Sequence, residues 1–407
     1  MKGINVRSEI EPLKKVMLHR PGRELLYLTP DRLPELLFDD IPYLYEAQKE
    51  HDEFARILKE NHVEVVYLED LMTEVLAAHP ELIDPFLDQW LEEADITTAK
   101  WKARLRSYLL DHYRGKDLVL KTMEGITLKE IGDLHPFTLQ DLIAPPDDLV
   151  VDPMPNLYFA RDPFASIGGG VSINHMRFPT RCRETIYAEY IFRYHPDFKD
   201  VKHYYDRTLH ASIEGGDIIN LTNNCVAIGI SQRTSPDAIE AIARRMFNDP
   251  DCDVRTVLAF RIPESRAFMH LDTVFTAVDY DKYTVHPQIL GTLQVFEITP
   301  TDNPQEVQIR EILGTLEQVL EKYTGVDHVQ LIQCGDGDLI SAAREQWNDG
   351  SNTLCIAPGK IVVYSRNVVT NRALRSAGLE VMEMPSAELS RGRGGPRCMS
   401  MPLWRED

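Results

Sequence analysis

The sequence predicts an α/β fold of about five repeated units, with an all-helical segment inserted after the first unit. Three observations support this prediction. The 407 residues are 43% hydrophobic and 27% charged, as in a soluble globular protein with a large core. A β-rich run, an arginine, a turn and a helical pattern recur in that order. Residues 71–146 lack this order and show helical periodicity alone.

The repeat is clearest at three places, where a β-rich run leads to an arginine. The first two of these arginines are 56 residues apart, and the third follows after 133 residues, about twice 66. Removing the 76-residue insert from 407 residues leaves 331, which fits about five units of 66. Two unrelated domains are the alternative. The three runs and their arginines are 171–176 with Arg177, 225–231 with Arg233, and 361–365 with Arg366.

Two weaker copies complete the set of repeats. A strand at 16–20 precedes a predicted helix at 46–61, and a strand at 273–278 precedes a predicted helix at 304–323. In the second helix, apolar residues recur at helical spacing along one face. They are Ile309, Ile312, Leu313, Leu316, Val319 and Leu320.

The insert is predicted to contain four or five short amphipathic helices. Thr98 would cap one of them, with Trp101 and Leu105 on its apolar face, and Pro145-Pro146 would end the segment. The predicted domains are a catalytic α/β domain at 1–70 and 147–407 and a helical bundle at 71–146.

Charge and cysteine content exclude several classes of function. The formal charge of −20 repels nucleic-acid phosphates and anionic membranes. No stretch of 18 to 20 apolar residues is present, and the first residues lack the apolar core of a signal peptide. The six cysteines form no C-x-x-C motif, which indicates free thiols in a reducing compartment. We expect a cytoplasmic protein that binds neither nucleic acid nor membrane.

Cys398 is the strongest candidate for a nucleophile. It lies in a glycine-rich loop with Arg391, Arg393 and Arg397 within seven positions, and positive charge favours the thiolate. A buried structural cysteine is the alternative, since free cysteine behaves as a small hydrophobic residue. Cys334, which opens the loop Cys-Gly-Asp-Gly-Asp, is the second choice.

His270 and Asp272 form a candidate acid/base pair. In an extended segment, side chains two residues apart project to the same side, so both would face one cavity. A metal site formed by these two residues and Glu214 is the competing interpretation. The sequence has no H-E-x-x-H motif and no cysteine pair, so we expect no metal.

Asp162 and Glu214 lie in the segments Arg-Asp-Pro and Glu-Gly-Gly-Asp. Such segments are ordinary turns unless the site uses their carboxylates. Carboxylates beside a thiolate repel it unless the substrate is a cation, and a planar cation can donate paired hydrogen bonds to them. These residue types therefore indicate a guanidinium substrate.

These segments, together with residues 8–22 and 344–352, resemble the arginine deiminase family. The resemblance runs from Val6 to the C-terminal Met401-Pro-Leu and includes a helical insert where this family has one. It implies a five-bladed, pseudo-symmetric α/β propeller of ββαβ units. It also implies hydrolysis of free L-arginine to L-citrulline and ammonia, with no metal and no organic cofactor.

The resemblance also implies residue roles. Cys398 would attack the guanidinium carbon, and His270 would act as general acid and base around a thiouronium-type intermediate. Glu214 would hold His270 and a substrate nitrogen, while Asp162 and Asp272 would clamp the guanidinium. The other implied contacts are Asn156, Arg181 and Arg233 at the amino-acid end of the substrate, Phe159 on its aliphatic or guanidinium portion, and Arg393 on a loop near the thiolate.

Two alternatives stay open. A sibling enzyme, such as an agmatine deiminase, a dimethylarginine hydrolase or an amidinotransferase, would share the cysteine, histidine and carboxylate core. The helical insert and two arginines for a substrate carboxylate, Arg181 and Arg233, favour arginine. A propeller that only binds a protein partner, with Cys398 structural, is the alternative from another class. We expect a homo-oligomer whose small-molecule substrate is L-arginine.

Overall fold

The computed structural model describes residues 1–132, 139–263, 268–289 and 293–406. The fold is mixed α/β, as predicted. Its strands are β1 (Leu13–Leu18), β2 (Glu64–Tyr67), β3 (Ile126–Thr127), β4 (Leu149–Val151), β5 (Phe164–Ile167), β6 (Gly170–Ile173), β7 (Lys202–Tyr205), β8 (Ile218–Thr222), β9 (Cys225–Ile230), β10 (Thr256–Arg261), β11 (Phe275–Ala277), β12 (Lys282–Val285), β13 (Gln294–Pro300), β14 (Val307–Ile312), β15 (Gln330–Gln333), β16 (Leu354–Ala357), β17 (Lys360–Tyr364), β18 (Glu380–Met384) and β19 (Met401–Arg405). Its helices are α1 (Leu44–Glu60), α2 (Leu68–Ala78), α3 (Ile83–Glu93), α4 (Ala99–His112), α5 (Gly115–Glu124), α6 (Leu139–Ile143), α7 (Pro179–Cys182), α8 (Thr185–Tyr194), α9 (Pro236–Asn248), α10 (Leu316–Thr324), α11 (Leu339–Trp347) and α12 (Val368–Ser376).

Five sheets of the described chain share one ββαβ pattern. The first strand pairs antiparallel with the second, and the second pairs parallel with the third across a connection that contains a helix. Parallel strands need such a crossover, which the helices supply. One unit joins the two ends of the chain, because β19 pairs with β1, and β1 pairs with β2 across α1. The other units are β5-β6-α8-β7, β8-β9-α9-β10, β11-β12-α10-β15 and β16-β17-α12-β18.

Helix α9 illustrates why these crossovers form. Ser235 and Pro236 stand at its start, where proline lacks only an N–H that the first turn leaves unpaired anyway. Its buried residues recur at helical spacing and form one apolar face against the sheets. They are Ala238, Ile239, Ile242, Ala243 and Met246.

The predicted helix at 304–323 is wrong in its first half. Strand β14 occupies Val307–Ile312 and pairs antiparallel with β13, and α10 begins only at Leu316. Gly314 has a φ of 155°, which side chains disfavour, and Thr315 caps α10 in a capping box with Gln318. Ile309 and Ile312 therefore belong to a strand, whereas Leu316, Val319 and Leu320 belong to a helix, and Leu313 lies between the two elements.

Helices α2 to α5 form most of the predicted insert, and they share a hydrophobic cluster with the α/β units. Trp90 is fully buried, and its indole N–H donates to the Thr122 carbonyl at 3.0 Å. The Phe86 ring lies edge-on to Tyr190 of α8, with 5.3 Å between ring centroids. Strand β3 lies within 71–146 and pairs with β4 beyond it, so the prediction of an all-helical insert is wrong at Ile126–Thr127. None of the helices in the described ranges has the length and apolar character that crossing a bilayer requires.

Candidate active site

Four of the predicted site residues, together with Asn352, come from equivalent positions in the repeated units. Asp162, Glu214, His270, Asn352 and Cys398 each lie two to five residues before the first strand of a unit. All five are buried. Residues far apart in the sequence therefore meet because the same strand end is used in each unit.

His270 lies between two carboxylates. Its Nε2 is 2.8 Å from Oε2 of Glu214, and its Nδ1 is 3.9 Å from Oδ1 of Asp162. A 3-10 turn follows His270, and the Leu271 N–H donates to Asp217 at 2.9 Å. The predicted extended segment is therefore wrong, and Asp272 turns away from the histidine toward Cys398.

Two glycines allow this close packing. A Cβ atom at Gly215 would lie 1.9 Å from the Arg161 carbonyl oxygen, and one at Gly216 would lie 2.7 Å from the His270 ring. The Gly216 N–H also donates to Oδ1 of Asp162 at 3.2 Å. The Glu-Gly-Gly-Asp segment is therefore more than a turn, since only glycine lets it reach the histidine and the aspartate together.

The charges around His270 set its protonation. Burial lowers the pKa of His270, but the charge of Asp162 and the hydrogen bond to Glu214 outweigh it and raise the pKa to about 9. Burial alone would raise the pKa of Glu214, yet the Arg233 and His270 charges lower it. At neutral pH the pair is an imidazolium and a carboxylate.

Each carboxylate of the site has an arginine partner. Arg181 donates to Asp162 at 2.7 Å and also pairs with Glu184 at 2.8 Å. Arg233 donates to Glu214 at 3.2 Å, and its guanidinium lies over the Phe178 ring at 4.6 Å. The two arginines expected to meet a substrate carboxylate therefore bond the site's own carboxylates here.

Cys398 contacts Asp272, its neighbour on the other side of the site. The Cys398 thiol lies 3.5 Å from Oδ2 of Asp272, and Arg397 donates to the same oxygen at 2.9 Å. Asn352 accepts the Cys398 N–H at 3.1 Å and donates to the Asp272 carbonyl at 3.4 Å. Sequence reasoning gave no role to Asn352, although the residue lies in a segment that carried the family resemblance.

The electropositive surroundings expected for Cys398 are not found. Burial, followed by the charges of Asp272, Asp162 and Asp349, raises the pKa of the Cys398 thiol well above its usual range. The three nearby arginines are each bound to carboxylates: Arg391 to Asp40 and Glu388, Arg393 to Asp39, and Arg397 to Glu9 and Asp272. The thiol is therefore protonated at neutral pH when no cation lies beside it.

Cys334, the second candidate nucleophile, does not contact the acidic and basic groups of the site. Burial raises the pKa of Cys334 to about 11, and its sulfur accepts the Thr370 hydroxyl at 3.3 Å. No acid/base group of the predicted set contacts it among the described residues. Cys334 fits a structural residue, and Cys398 keeps its place as the candidate nucleophile.

These groups surround a narrow cavity of about 20 Å³. That volume accepts about one water molecule, so the site must widen to admit a larger molecule. Asp272 and Glu214 do not line the cavity. They lie behind the lining, where Asp272 contacts Cys398 and Glu214 contacts His270. The lining residues are Leu37, Asn156, Phe159, Asp162, Arg181, Arg233, Met269, His270, Thr273, Gly392, Arg393 and Cys398.

The remaining predicted residues border this cavity. Asn156 donates to the Leu36 carbonyl at 2.8 Å, and Phe159 packs on the Tyr158 ring with 4.0 Å between centroids. Arg393 has a φ of 64°, a left-handed conformation that is uncommon outside glycine. Its guanidinium lies 3.7 Å from the centre of the Trp347 ring, on the wall of the cavity.

Asp162, Glu214 and His270 could also hold a metal ion. Each offers a ligand atom, and these atoms lie within 4.8 Å of one another. Asp272, which the competing metal interpretation included, pairs with Arg397 instead. The two carboxylates also suit a bound guanidinium, which donates in a plane to several acceptors.

Comparisons with known proteins agree on one family. The family model described as arginine deiminase matches residues 34–405. An arginine deiminase from Treponema denticola is 57% identical over 408 residues, which cover 100% of both chains. An arginine deiminase from Clostridium perfringens is 53% identical over 410 residues, which cover 100% of this chain and 99% of that one.

Solved structures with low sequence identity share the fold. An amidinotransferase from Microseira wollei has a TM-score of 0.56 at 15% identity, covering 99% of this chain and 98% of that one. A dimethylarginine dimethylaminohydrolase from Pseudomonas aeruginosa, complexed with citrulline, has a TM-score of 0.52 at 15% identity, covering 96% and 99%. At this identity the likeness concerns the fold alone.

Proposed function

The chain belongs to the arginine deiminase family, and we propose on this basis that it hydrolyses free L-arginine to L-citrulline and ammonia. One observation carries the proposal beyond the family match. The Cys398 thiol, the His270 imidazolium and the Asp162 carboxylate line one small cavity, and the carboxylates of Glu214 and Asp272 are buried behind them. This set suits a cationic, planar substrate that accepts a nucleophile at carbon.

Substrate charge and thiol ionisation are coupled in this proposal. Burial and, after it, the nearby carboxylates raise the pKa of Cys398 and keep the thiol protonated in the free protein. A guanidinium beside Asp162 and Asp272 offsets their charge and lowers the pKa of the thiol, since a nearby opposite charge favours the charged form. The substrate therefore ionises the nucleophile that attacks it, and the thiol proton leaves to the solvent, because His270 already carries its proton.

The first half-reaction replaces a C–N bond with a C–S bond. The Cys398 thiolate adds to the guanidinium carbon, and the C–N bond to a terminal nitrogen breaks. The His270 imidazolium donates its proton to that nitrogen, which leaves as ammonia. The remaining cation is a thiouronium bound to Cys398, held by the carboxylates of Asp162 and Asp272.

The second half-reaction replaces the C–S bond with a C–O bond. Neutral His270 takes a proton from water, and the hydroxide adds to the thiouronium carbon. The C–S bond breaks and restores the Cys398 thiolate. The hydroxyl proton passes to the solvent as the ureido carbonyl of citrulline forms, because His270 is again an imidazolium. Glu214 stabilises both protonation states of the histidine through its 2.8 Å hydrogen bond.

The remaining residues of the cavity wall are proposed to bind the α-amino and α-carboxylate end of arginine. We propose that Asn156, Arg181 and Arg233 meet the α-carboxylate and α-amino groups, and that Phe159 packs on the aliphatic portion. Arg393 joins them from its loop. Since the cavity holds only about 20 Å³, we expect this loop to move when arginine enters.

The finer architecture is also a proposal. The five ββαβ units, each with a site residue before its first strand, support a pseudo-symmetric five-bladed propeller with the site on its axis. Helices α2 to α5 support an inserted helical bundle at 71–146, with 1–70 and 147–407 forming the catalytic domain. We also propose a homo-oligomeric, cytoplasmic enzyme without a metal or an organic cofactor.

A citrulline assay with three substrates tests the function. Arginine is expected to be converted, while agmatine and methylated arginines react much more slowly. Preference for agmatine or methylated arginine would identify a sibling hydrolase on the same fold. Absence of citrulline with all three, at protein concentrations that bind arginine, would leave a binding module.

A further inference from the structure

Arg397 precedes the candidate nucleophile, and the proposed reaction has no use for it. This arginine is 1% exposed and bonds two carboxylates at once. Its Nε and Nη2 donate to Glu9 at 3.1 and 3.0 Å, and its Nη1 donates to Oδ2 of Asp272 at 2.9 Å. The guanidinium of Arg397 therefore links Glu9, near the N-terminus, to Asp272, which is predicted to bind the substrate guanidinium.

The two oxygens of Asp272 differ in their contacts. Oδ2 accepts from Arg397 and lies 3.5 Å from the Cys398 thiol. Oδ1 is buried, and within the described part of the chain it has no hydrogen-bond partner. A buried acceptor without a donor is unfavourable, so Oδ1 is an acceptor that a donor entering beside Cys398 would satisfy.

Glu9 fixes the guanidinium of Arg397. Burial would raise the pKa of Glu9, but the charges of Arg397 and Arg161 outweigh it and hold the pKa at about 2. Glu9 stays ionised at neutral pH, and its Oε1 also accepts the Asn220 N–H at 3.4 Å. The arginine is therefore anchored on the side away from Asp272.

We propose that Arg397 is a positioning residue, which holds Oδ2 of Asp272 so that Oδ1 is left for the substrate guanidinium. Glu9 holds Arg397 in turn. This inference rests on the proposed function, because it concerns the same site. A lysine could not replace this arginine, since an ammonium lacks the planar fork that binds one carboxylate through two N–H groups while reaching a second.

The test compares Arg397→Lys with Arg405→Lys, the same change at another buried arginine. Arg405 is also 1% exposed, but its hydrogen bonds go to the backbone carbonyls of Glu11 and Cys355, at 2.5 and 2.8 Å. We expect Arg397→Lys to lower kcat/KM for arginine at least about tenfold, the loss of one charged hydrogen bond. Arg405→Lys should lower Tm similarly and change kcat/KM less than about threefold, since Arg405 donates a hydrogen bond to neither Glu9 nor Asp272.

A double-mutant cycle with Asp272→Asn separates positioning from support of the fold. If Arg397 acts through Asp272, Arg397→Lys costs less than about threefold once Asp272→Asn is present. The cycle is read in kcat/KM and in the arginine Kd of Cys398→Ser protein, which does not turn over. The proposal is overturned if, in both kcat/KM and Kd, the double variant loses the product of the factors lost by Arg397→Lys and Asp272→Asn alone. Where Arg397→Lys does not fold, Glu9→Gln runs the same cycle, because it removes the anchor and keeps the arginine.

Wild-type protein distinguishes this proposal from the proposed function. If the wild type neither releases citrulline nor binds arginine, the proposed function is refuted and the positioning role falls with it. If the wild type is active and the losses multiply, the positioning role alone is refuted. Activity with non-multiplying losses supports both.

Discussion

Replacing Glu214 with glutamine should move the alkaline limb of the activity profile to lower pH. Glu214 is fully buried, and its Oε2 lies 2.8 Å from Nε2 of His270. The pKa of His270 is about 9, raised first by the charge of Asp162 and then by this hydrogen bond. Since the proposed reaction needs the imidazolium as acid, kcat/KM should fall as pH rises through the pKa of His270 in the free protein.

The size of the shift follows from the hydrogen bond that is lost. A hydrogen bond to a charged group contributes about 1.5 to 3 kcal/mol, and 1.36 kcal/mol corresponds to one pKa unit. Glu214→Gln keeps an oxygen that accepts from Nε2 but removes the charge. The pKa of His270 should therefore fall by about one to two units, while Asp162 keeps it from falling further.

The assay is kcat/KM for citrulline formation from pH 6 to pH 10, with imidazole ¹⁵N chemical shifts as a direct titration of His270. Glu345→Gln is the matched control, because that buried carboxylate accepts the Val369 and Thr370 N–H groups and does not touch the histidine. It should leave the alkaline limb in place. An alkaline limb that does not move in Glu214→Gln, or that moves upward, would refute the role of Glu214.

Four further outcomes are expected. Cys398→Ser should abolish turnover but keep arginine binding by calorimetry, since serine lacks a thiolate; activity above a few per cent contradicts it. Dialysis against EDTA should leave the rate of citrulline formation unchanged; recovery by zinc after a loss would show a metal. Arg233→Ala should lower kcat/KM about tenfold or more for arginine but little for agmatine; equal losses would make the residue structural. His19→Gln should lower the urea-measured free energy of unfolding more at pH 6 than above pH 10, because Glu69 and Glu24 raise the pKa of buried His19 to about 10; an equal loss at both pH values contradicts this.

The sequence was sufficient to predict the repeated units because each depends on local signals. A β-branched run, a turn and an amphipathic helix are encoded within about 66 residues. The signals failed at 304–323, where apolar residues fit both a helix face and a strand. Pairing of β14 with β13, and the φ of 155° at Gly314, decided that segment. These are tertiary and backbone effects that apolar spacing does not encode.

The site was predictable in its residues but not in its electrostatics. Glycine, proline and aspartate marked the loops, and the family resemblance supplied roles. The expectation that three arginines near Cys398 in sequence would favour its thiolate was wrong. Arg397, one residue away, bonds Glu9, which lies 388 positions earlier in the chain. Charged residues that are close to a buried cysteine in the sequence therefore do not predict which charges lie close to its sulfur in the fold.

The arginine partners of the three carboxylates change the argument for a cationic substrate. Asp162, Glu214 and Asp272 are paired with Arg181, Arg233 and Arg397 respectively. Repulsion among the carboxylates is thus already offset by the protein, and what remains uncompensated is the burial of Cys398 beside them. A substrate guanidinium is needed to ionise the thiol rather than to hold the carboxylates together.

Arg181 and Arg233 can each support a carboxylate of the site or recognise the α-carboxylate of the substrate, and their contacts separate these two roles. Without Arg233, Glu214 still has His270 and the Arg177 N–H as hydrogen-bond partners. Oδ2 of Asp162, in contrast, accepts its hydrogen bond from Arg181. Loss of Arg181 should therefore disturb the guanidinium site for every substrate, and discrimination by the α-carboxylate falls to Arg233.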